Sequence, residues 1–575
     1  MDRRRVAMSP GARGRVHRPP GRHGRARHGR AGRRVAGLLL LAAGPVLVLG
    51  VLFVLPVTGM IAEGFWVDGR FAPGAVLEVL SRPRVHRVAW FTVWTSGVAT
   101  LLAVVLGLPA AYALHRLALP GRSAVRAALL VPFVLPTVVV GVAFRQLLGE
   151  GGPLGFLGLD GTPVAILCGL VFFNVAVVVR TVGVAWESLD SRPGQAAAAL
   201  GASPWQVLRT VTLPALRPAI VGAASIVFLF CATAFGIVLT LGGVRYATVE
   251  TEIYLLTTTI FDLQAAAALS VLQIVVVLVL LAVAARLRAT PDPTAQRVVA
   301  PARVVRRSDA PVVLATVLVL AAMLLPILTL VLGSLSVGDG WGLDNYRALT
   351  TAGDDQALLV PVTTALATSL RTAVDATWMA LLVGVTVSVL VTRRSHSAAE
   401  RRLRSGLDGF FMLPLGVSAV TLGFGFLITL DEPPLDLRDS PLLVPMAQAL
   451  VALPLVVRTL TPVLGGVDDR QRQAAASLGA SAWRTFVTVD LPVAWKPMLA
   501  AGGFAFAASL GEFGATSFLA RDTSPTLPVV IFRLIGHPGE MNYGMALAAS
   551  VVLATVTALV MLAVERLRVP GVGAF

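Results

Sequence analysis

The chain has 575 residues, of which 56% are hydrophobic and only 14% charged, with a mean hydropathy of +0.79. A soluble domain carries roughly 25% charged residues, so this composition excludes a disordered chain, a disulfide scaffold and an ordinary cytosolic enzyme, and points to one large integral membrane protein. The formal net charge of +17 is concentrated in a few segments, a placement that argues for membrane topology and against nucleic-acid binding.

Residues 1–35 are a basic tail, with twelve arginines in the first 34 positions among Gly, Pro and His. Such a composition predicts no fold of its own and a cytoplasmic anchor beside anionic lipid. A cleaved signal peptide is not expected, because the first apolar run is too long and lacks a small-residue cleavage site. Twelve apolar segments follow: 36–62, 88–114, 127–148, 162–186, 218–242, 264–285, 311–336, 365–392, 407–430, 441–463, 498–520 and 541–564. Each is near the ~20 residues that a membrane helix needs. Several contain Pro or Gly, as Pro132 and Pro136 interrupt the third, which a bilayer helix tolerates when its neighbours satisfy the freed backbone groups.

The order of segments predicts a first half at 36–288, a Pro- and Arg-rich linker at 289–310 and a second half at 311–566. Arginines gather in alternate loops, including the tail, the linker and the run Arg401, Arg402, Arg404. The intervening loops are acidic, with Glu150 and Asp160, Asp354 and Asp355, and Asp431, Glu432 and Asp436. The positive-inside rule then places both termini in the cytoplasm.

The chain repeats itself at a lag of about 278 residues. Gln195-Ala-Ala-Ala-Ala-Leu-Gly-Ala-Ser203 matches Gln473-Ala-Ala-Ala-Ser-Leu-Gly-Ala-Ser481, Trp205 matches Trp483, and Phe235-Gly236 matches Phe513-Gly514. Leu213-Pro214 matches Leu491-Pro492, and Ile253-Tyr254 matches Ile531-Phe532. Six segments per half is an even number, so the expected fold is all-α, with two parallel six-helix repeats related by an axis along the membrane normal.

The repeated Gln-Ala-Ala…Gly segment falls in a cytoplasmic loop of each half. Its alanines favour helix, Gly201 and Gly479 would end that helix, and Ser203 and Ser481 are placed to cap a second turn. Trp205 and Trp483 are left to pack on a partner. The two copies, Gln195, Ala196, Ala197, Gly201 and Gln473, Ala474, Ala475, Gly479 with the Leu-Pro that follows, resemble the Glu-Ala-Ala loop of type I ABC importer permeases. The double-length form is similar to the fused permeases of iron(III) and thiamine importers. Gln stands in both copies where that family has Glu.

The resemblance implies a bacterial inner-membrane protein in which each loop is a coupling helix seated on one of two ABC ATPase subunits. It also implies an extracytoplasmic solute-binding protein as partner. Cofactors are not expected on this chain: ATP would be bound by the ATPases, and the single lysine, Lys496, lies in Trp-Lys-Pro and cannot serve a P-loop. The seven histidines are scattered, so neither a metal site nor a catalytic constellation is expected.

Charged residues inside membrane helices are costly and usually functional. Glu512 is the clearest, with Phe513 beside it, Phe235 as the repeat counterpart of Phe513, and Asn174 polar within the fourth segment. These four are the expected translocation-pathway residues. A pathway carboxylate favours a cationic cargo. Iron(III) is the preferred cargo, because neither Trp nor Tyr is expected near Glu512 to cage an organic cation. Thiamine is the alternative, and an ATPase-independent secondary transporter is the alternative of a different class.

Overall fold

The computed structural model describes residues 37–566 except 68, 130–131, 133–134, 288–301, 339, 396 and 431–434. The basic tail, residues 289–301 of the linker, and Asp431 and Glu432 lie outside the described residues.

Among the described residues, and beside further short helices at Pro73–Ser81, Arg122–Ala128, Asp344–Arg347 and Ala398–Phe411, nine helices recur in order in each half and form the frame. In the first half these are α1 (Gly37–Phe65), α2 (Pro83–Arg116), α3 (Thr137–Leu148), α4 (Pro163–Glu187), α5 (Arg192–Ala199), α6 (Pro204–Ala232), α7 (Gly236–Gly242), α8 (Val249–Leu255) and α9 (Leu263–Leu287). Their counterparts are α10 (Ala310–Leu335), α11 (Val362–Thr392), α12 (Ala419–Thr429), α13 (Leu443–Gly465), α14 (Asp469–Ser477), α15 (Ala482–Leu510), α16 (Thr516–Leu519), α17 (Leu527–Gly536) and α18 (Glu540–Arg566). The repeat extends to small features. A two-residue hairpin follows α1, pairing Trp66 with Phe71, and another follows α10, pairing Ser336 with Trp341. The Val249 amide at the start of α8 donates to Thr92 Oγ1 at 2.9 Å, and the Leu527 amide at the start of α17 donates to Ser369 Oγ at 2.7 Å.

Ten of these helices are long and apolar enough to cross a membrane, against the twelve expected. The third and ninth expected spans are broken by their prolines. Pro136 is the N-cap of α3, and a short turn at Leu413–Gly416, containing Pro414, precedes α12, whose N-cap Ser418 Oγ accepts from the Thr421 amide at 3.1 Å. Helices of 12 and 11 residues remain, about 18 Å long, short of a hydrocarbon core of about 30 Å. The fifth and eleventh spans start earlier than expected, at Pro204 and Ala482, and stop at Ala232 and Leu510, leaving α7 and α16 as separate short pieces.

The first helix of each half packs on the other half: α1 lies against α12, and α10 against α2 and α3. Both crossings bring a glycine close to the facing helix, and at Gly59 the facing side chain is the stiffer one, a β-branched threonine. A Cβ on Gly59 of α1 would fall 2.0 Å from Thr429 Cγ2, and one on Gly333 of α10 would fall 2.6 Å from Gln146 Nε2. One buried core runs through both halves, with Val138, Phe235 and Ile253 from the first and Phe424, Phe513 and Ile531 from the second. The halves therefore share an interior.

Candidate functional site

Two features stand out: a pair of exposed loops on matching helices, and an aromatic cluster where the halves meet.

The Ala-rich runs fold as α5 and α14, and each ends in the same left-handed cap. Gly201 has φ +91° and Gly479 has φ +82°, a conformation that glycine adopts without strain. In α5 the Gly201 amide donates to Ala198 O at 3.0 Å and the Ala202 amide to Ala197 O at 3.1 Å. In α14 the Gly479 amide donates to Ala476 O at 3.0 Å and the Ala480 amide to Ala475 O at 3.0 Å. This paired pattern satisfies the last carbonyls of each helix.

The chain then restarts at a serine cap. Ser203 Oγ accepts from the Gln206 amide at 3.3 Å while Gln206 Oε1 accepts from the Ser203 amide at 2.8 Å. Ser481 Oγ accepts from the Arg484 amide at 3.2 Å, and an arginine at that position cannot return the bond.

Gln195, Ala196, Gln473 and Ala474 are exposed, and Ala197 and Ala475 are half-buried. Trp205 and Trp483 are 65% and 73% exposed, as the sequence predicts. Sequence reasoning missed Leu200 and Leu478, which are 90% and 89% exposed. The signal was available: each directly precedes the capping glycine, where the chain turns away from its own helix. Each loop thus exposes one leucine and one tryptophan.

At the centre, Phe235 and Phe513, which are repeat counterparts, stack on each other with ring centroids 5.3 Å apart and planes at 23°. Tyr254 of α8 packs edge-on against Phe235 at 5.3 Å and against Phe518 at 5.4 Å, and Phe532 of α17 packs against Phe513 at 5.5 Å. Tyr254, like Phe532, was left out of this group by the sequence reading. It lies 258 positions before Glu512 in the chain and reaches the cluster because the segment after α7 folds back as α8.

Glu512 occupies the break between α15 and α16. Its carboxylate accepts from the amides of Ala515 at 2.8 Å and Thr516 at 3.0 Å, and from the Thr516 hydroxyl. The side chain therefore caps the turn that carries Phe513. Asn174 sits between α4 and α6, where its amide nitrogen donates to Leu170 O at 2.9 Å and to Cys231 Sγ at 3.3 Å.

A second buried carboxylate was not singled out from sequence. Glu250 of α8 accepts from Gln273 Nε2 at 2.8 Å and from Ser418 Oγ at 2.8 Å. Ser418 is the cap of α12, so this bond joins the two halves. Its repeat counterpart is Pro528, which makes the contact one-sided.

The chain matches the family described as binding-protein-dependent transport system inner membrane component over residues 103–290 and again over 313–568. Among its relatives is the thiamine transport system permease protein ThiP of Brucella abortus (strain 2308), 28% identical over 470 residues, covering 78% of this chain and 82% of the relative. ThiP of Escherichia coli (strain K12) is 29% identical over 471 residues, covering 78% and 83%. A probable ABC transporter permease protein, y4fN of Sinorhizobium fredii, is 25% identical over 491 residues, covering 80% and 83%. The crystal structure of a bacterial ABC transporter involved in the import of the acidic polysaccharide alginate contains a chain that aligns with a TM-score of 0.40 at 18% identity, over 46% of this chain and 98% of that one. With the family pattern matched once in each half, and covering most of the membrane-spanning chain, this protein belongs to the binding-protein-dependent inner-membrane permeases of ABC transporters.

Proposed function

We propose that this chain is the membrane-spanning subunit of an ATP-driven importer for thiamine. The observation that carries this reading is the ring cluster of Phe235, Tyr254, Phe513, Phe518 and Phe532 at the meeting of the two halves. Aromatic faces attract a cationic ring, the more so when water is excluded. The names of the relatives support the same cargo. The preference for iron(III) rests on Glu512 and on the lack of a Tyr or Trp near it, and both supports weaken. Glu512 directs its carboxylate at its own turn, and Tyr254 belongs to the cluster.

In this reading the loops at α5 and α14 are coupling helices on the cytoplasmic side, each engaging one of two ATPase subunits through Leu200 and Trp205 or Leu478 and Trp483. The short helices α3 and α12, with the bent pairs α6–α7 and α15–α16, complete six passes per half. A solute-binding protein delivers cargo to the opposite face. ATP-driven approach of the ATPases moves both loops together, and the halves rock about the shared core. A ligand shifts such an equilibrium only by its differential affinity for the two states. The Phe235–Phe513 stack is worth about 0.5–1.5 kcal/mol beyond its burial, and it joins counterpart positions of the two halves. Phe235 and Phe513 line the pathway, Glu512 holds the turn that presents Phe513, and Asn174 holds α4 against α6.

The test is uptake by cells lacking this chain. Labelled thiamine uptake is expected to collapse while iron accumulation stays normal, and the reverse pattern would restore iron(III). Thiamine uptake that persists after removal of every cognate ATPase would instead favour a secondary transporter.

A further inference from the structure

The two exposed loops look alike from outside and are held differently from inside. In the second half, Asp490 at the entrance to the membrane part of α15 is 1% exposed. Its Oδ1 accepts from Arg472 Nε at 2.8 Å and its Oδ2 accepts from Arg393 Nη2 at 2.6 Å. Arg472 belongs to α14 and is 9% exposed. Its Nη2 also donates to Leu464 O at 2.8 Å, at the end of α13, and its Nη1 donates to Asp469 at 3.0 Å. Arg393 follows the last residue of α11. One carboxylate and two guanidiniums therefore tie α14 to the ends of α11 and α13 and to the body of α15.

The repeat counterparts of Arg472 and Asp490 are Gly194 and Thr212, which carry no charge. The counterpart of Arg393 is Arg116, and it donates weakly, at 3.4 Å, to Trp186 O, the carbonyl equivalent to Leu464 O. The first half has its own ionic cluster, in which Glu187 meets His115 at 3.0 Å and Arg126 at 2.8 Å. That cluster joins α2 and the segment Arg122–Ala128 to α4 and stops short of α5. No residue of α5 is buried, whereas Arg472 of α14 is. A buried ion pair is a poor source of net stability, because desolvation offsets its attraction, and its best use is to hold one geometry against others.

We propose that Asp490, acting through Arg472 and Arg393, is a positioning residue that makes the second coupling loop a stiff lever, and that the first loop is compliant. Movement of the ATPases is then passed to the second half directly and to the first with slack. This rests on the reading of both loops as ATPase-coupling elements.

The experiment uses the full chain with Cys168 and Cys231 replaced by alanine and a nitroxide label at the matched positions Ala199→Cys or Ser477→Cys. In the permease without ATPase, the label at 477 is expected to be less mobile than the label at 199. The double change Arg472→Gly/Asp490→Thr, which copies the first half, is expected to raise mobility at 477 to that at 199. In the complete complex in vesicles it is expected to cut uptake per ATP hydrolysed several-fold. The graft Gly194→Arg/Thr212→Asp, which removes no buried pair, is expected to immobilise the label at 199, and it gives the reading if the first double variant does not fold. Equal mobility at both positions in the parent chain, or unchanged uptake per ATP in the Arg472→Gly/Asp490→Thr complex, overturns the proposal. Failure of the coupling reading looks different: Leu200→Asp/Leu478→Asp would then transport normally while the difference in label mobility remained.

Discussion

Glu512 is a carboxylate whose oxygens point at backbone. Its partners are the amides of Ala515 and Thr516, the first free donors of the short helix α16. A buried amide that loses its acceptor costs about 1–3 kcal/mol, and loss of a helix cap costs about 0.5–2 kcal/mol. Glu512→Ala is therefore expected to destabilise the protein by about 1–3 kcal/mol. Glu512→Gln keeps one carbonyl oxygen for those amides and is expected to fall between the two. Thermal unfolding in detergent, following Trp fluorescence, orders the three proteins. If Glu512→Ala unfolds with the wild type, the carboxylate does not hold the turn. The Ala234 counterpart in the first half shows that the fold can make such a break without a carboxylate, so the effect is a local loosening of Phe513 and not a loss of the fold. Sequence singled out Glu512 because a charge in an apolar run is conspicuous. What its oxygens do could not be read there, because their partners are set by a turn and not by a pattern.

At the scale of elements, the capped helices α5 and α14 were legible down to their end residues. Alanine run, glycine and serine each have a local conformational meaning, and the structure places each in that role. Gly201 and Gly479 make the sharpest test. Proline at either position would have to adopt a φ near −65° in place of +91° or +82°. It would also delete the amide that donates to Ala198 or Ala476. Gly201→Pro and Gly479→Pro are expected to abolish ATPase co-purification and uptake while leaving the membrane core folded. Full uptake by both variants would sink the coupling assignment. The broken helices were much less legible. Hydropathy averages over a window, so 127–148 and 498–520 read as continuous although Pro136 and the Gly511–Gly514 turn divide them. Tyr254 was hidden for a related reason: a polar stretch with Thr248, Glu250 and Glu252 reads as a loop, and only packing of α8 against the core brings it beside Phe235.

For the whole molecule, the duplication decides the architecture. Two equal halves that share one core, with α1 and α10 each crossing to the other half, cannot be separated without opening that common interior. Charge predicts the side on which each loop lies. The loop with Asp354 and Asp355 is acidic, and the segment with Arg401, Arg402 and Arg404 is basic. Lys and Arg are retained on the cytoplasmic side of a bacterial membrane. Asp355 and Arg401 are exposed in the structure, so a thiol at either place is open to reagent from its own side. In a chain freed of Cys168 and Cys231, Asp355→Cys is expected to react with a membrane-impermeant maleimide in intact spheroplasts. Arg401→Cys is expected to react only after the membrane is opened. Both loops precede α14 in the chain, with α11 lying between them, so opposite labelling also requires α11 to cross the bilayer. Labelling of Arg401→Cys but not Asp355→Cys would invert the orientation. It would put Leu200 and Leu478 on the face away from any ATPase, and the coupling mechanism would fail with it.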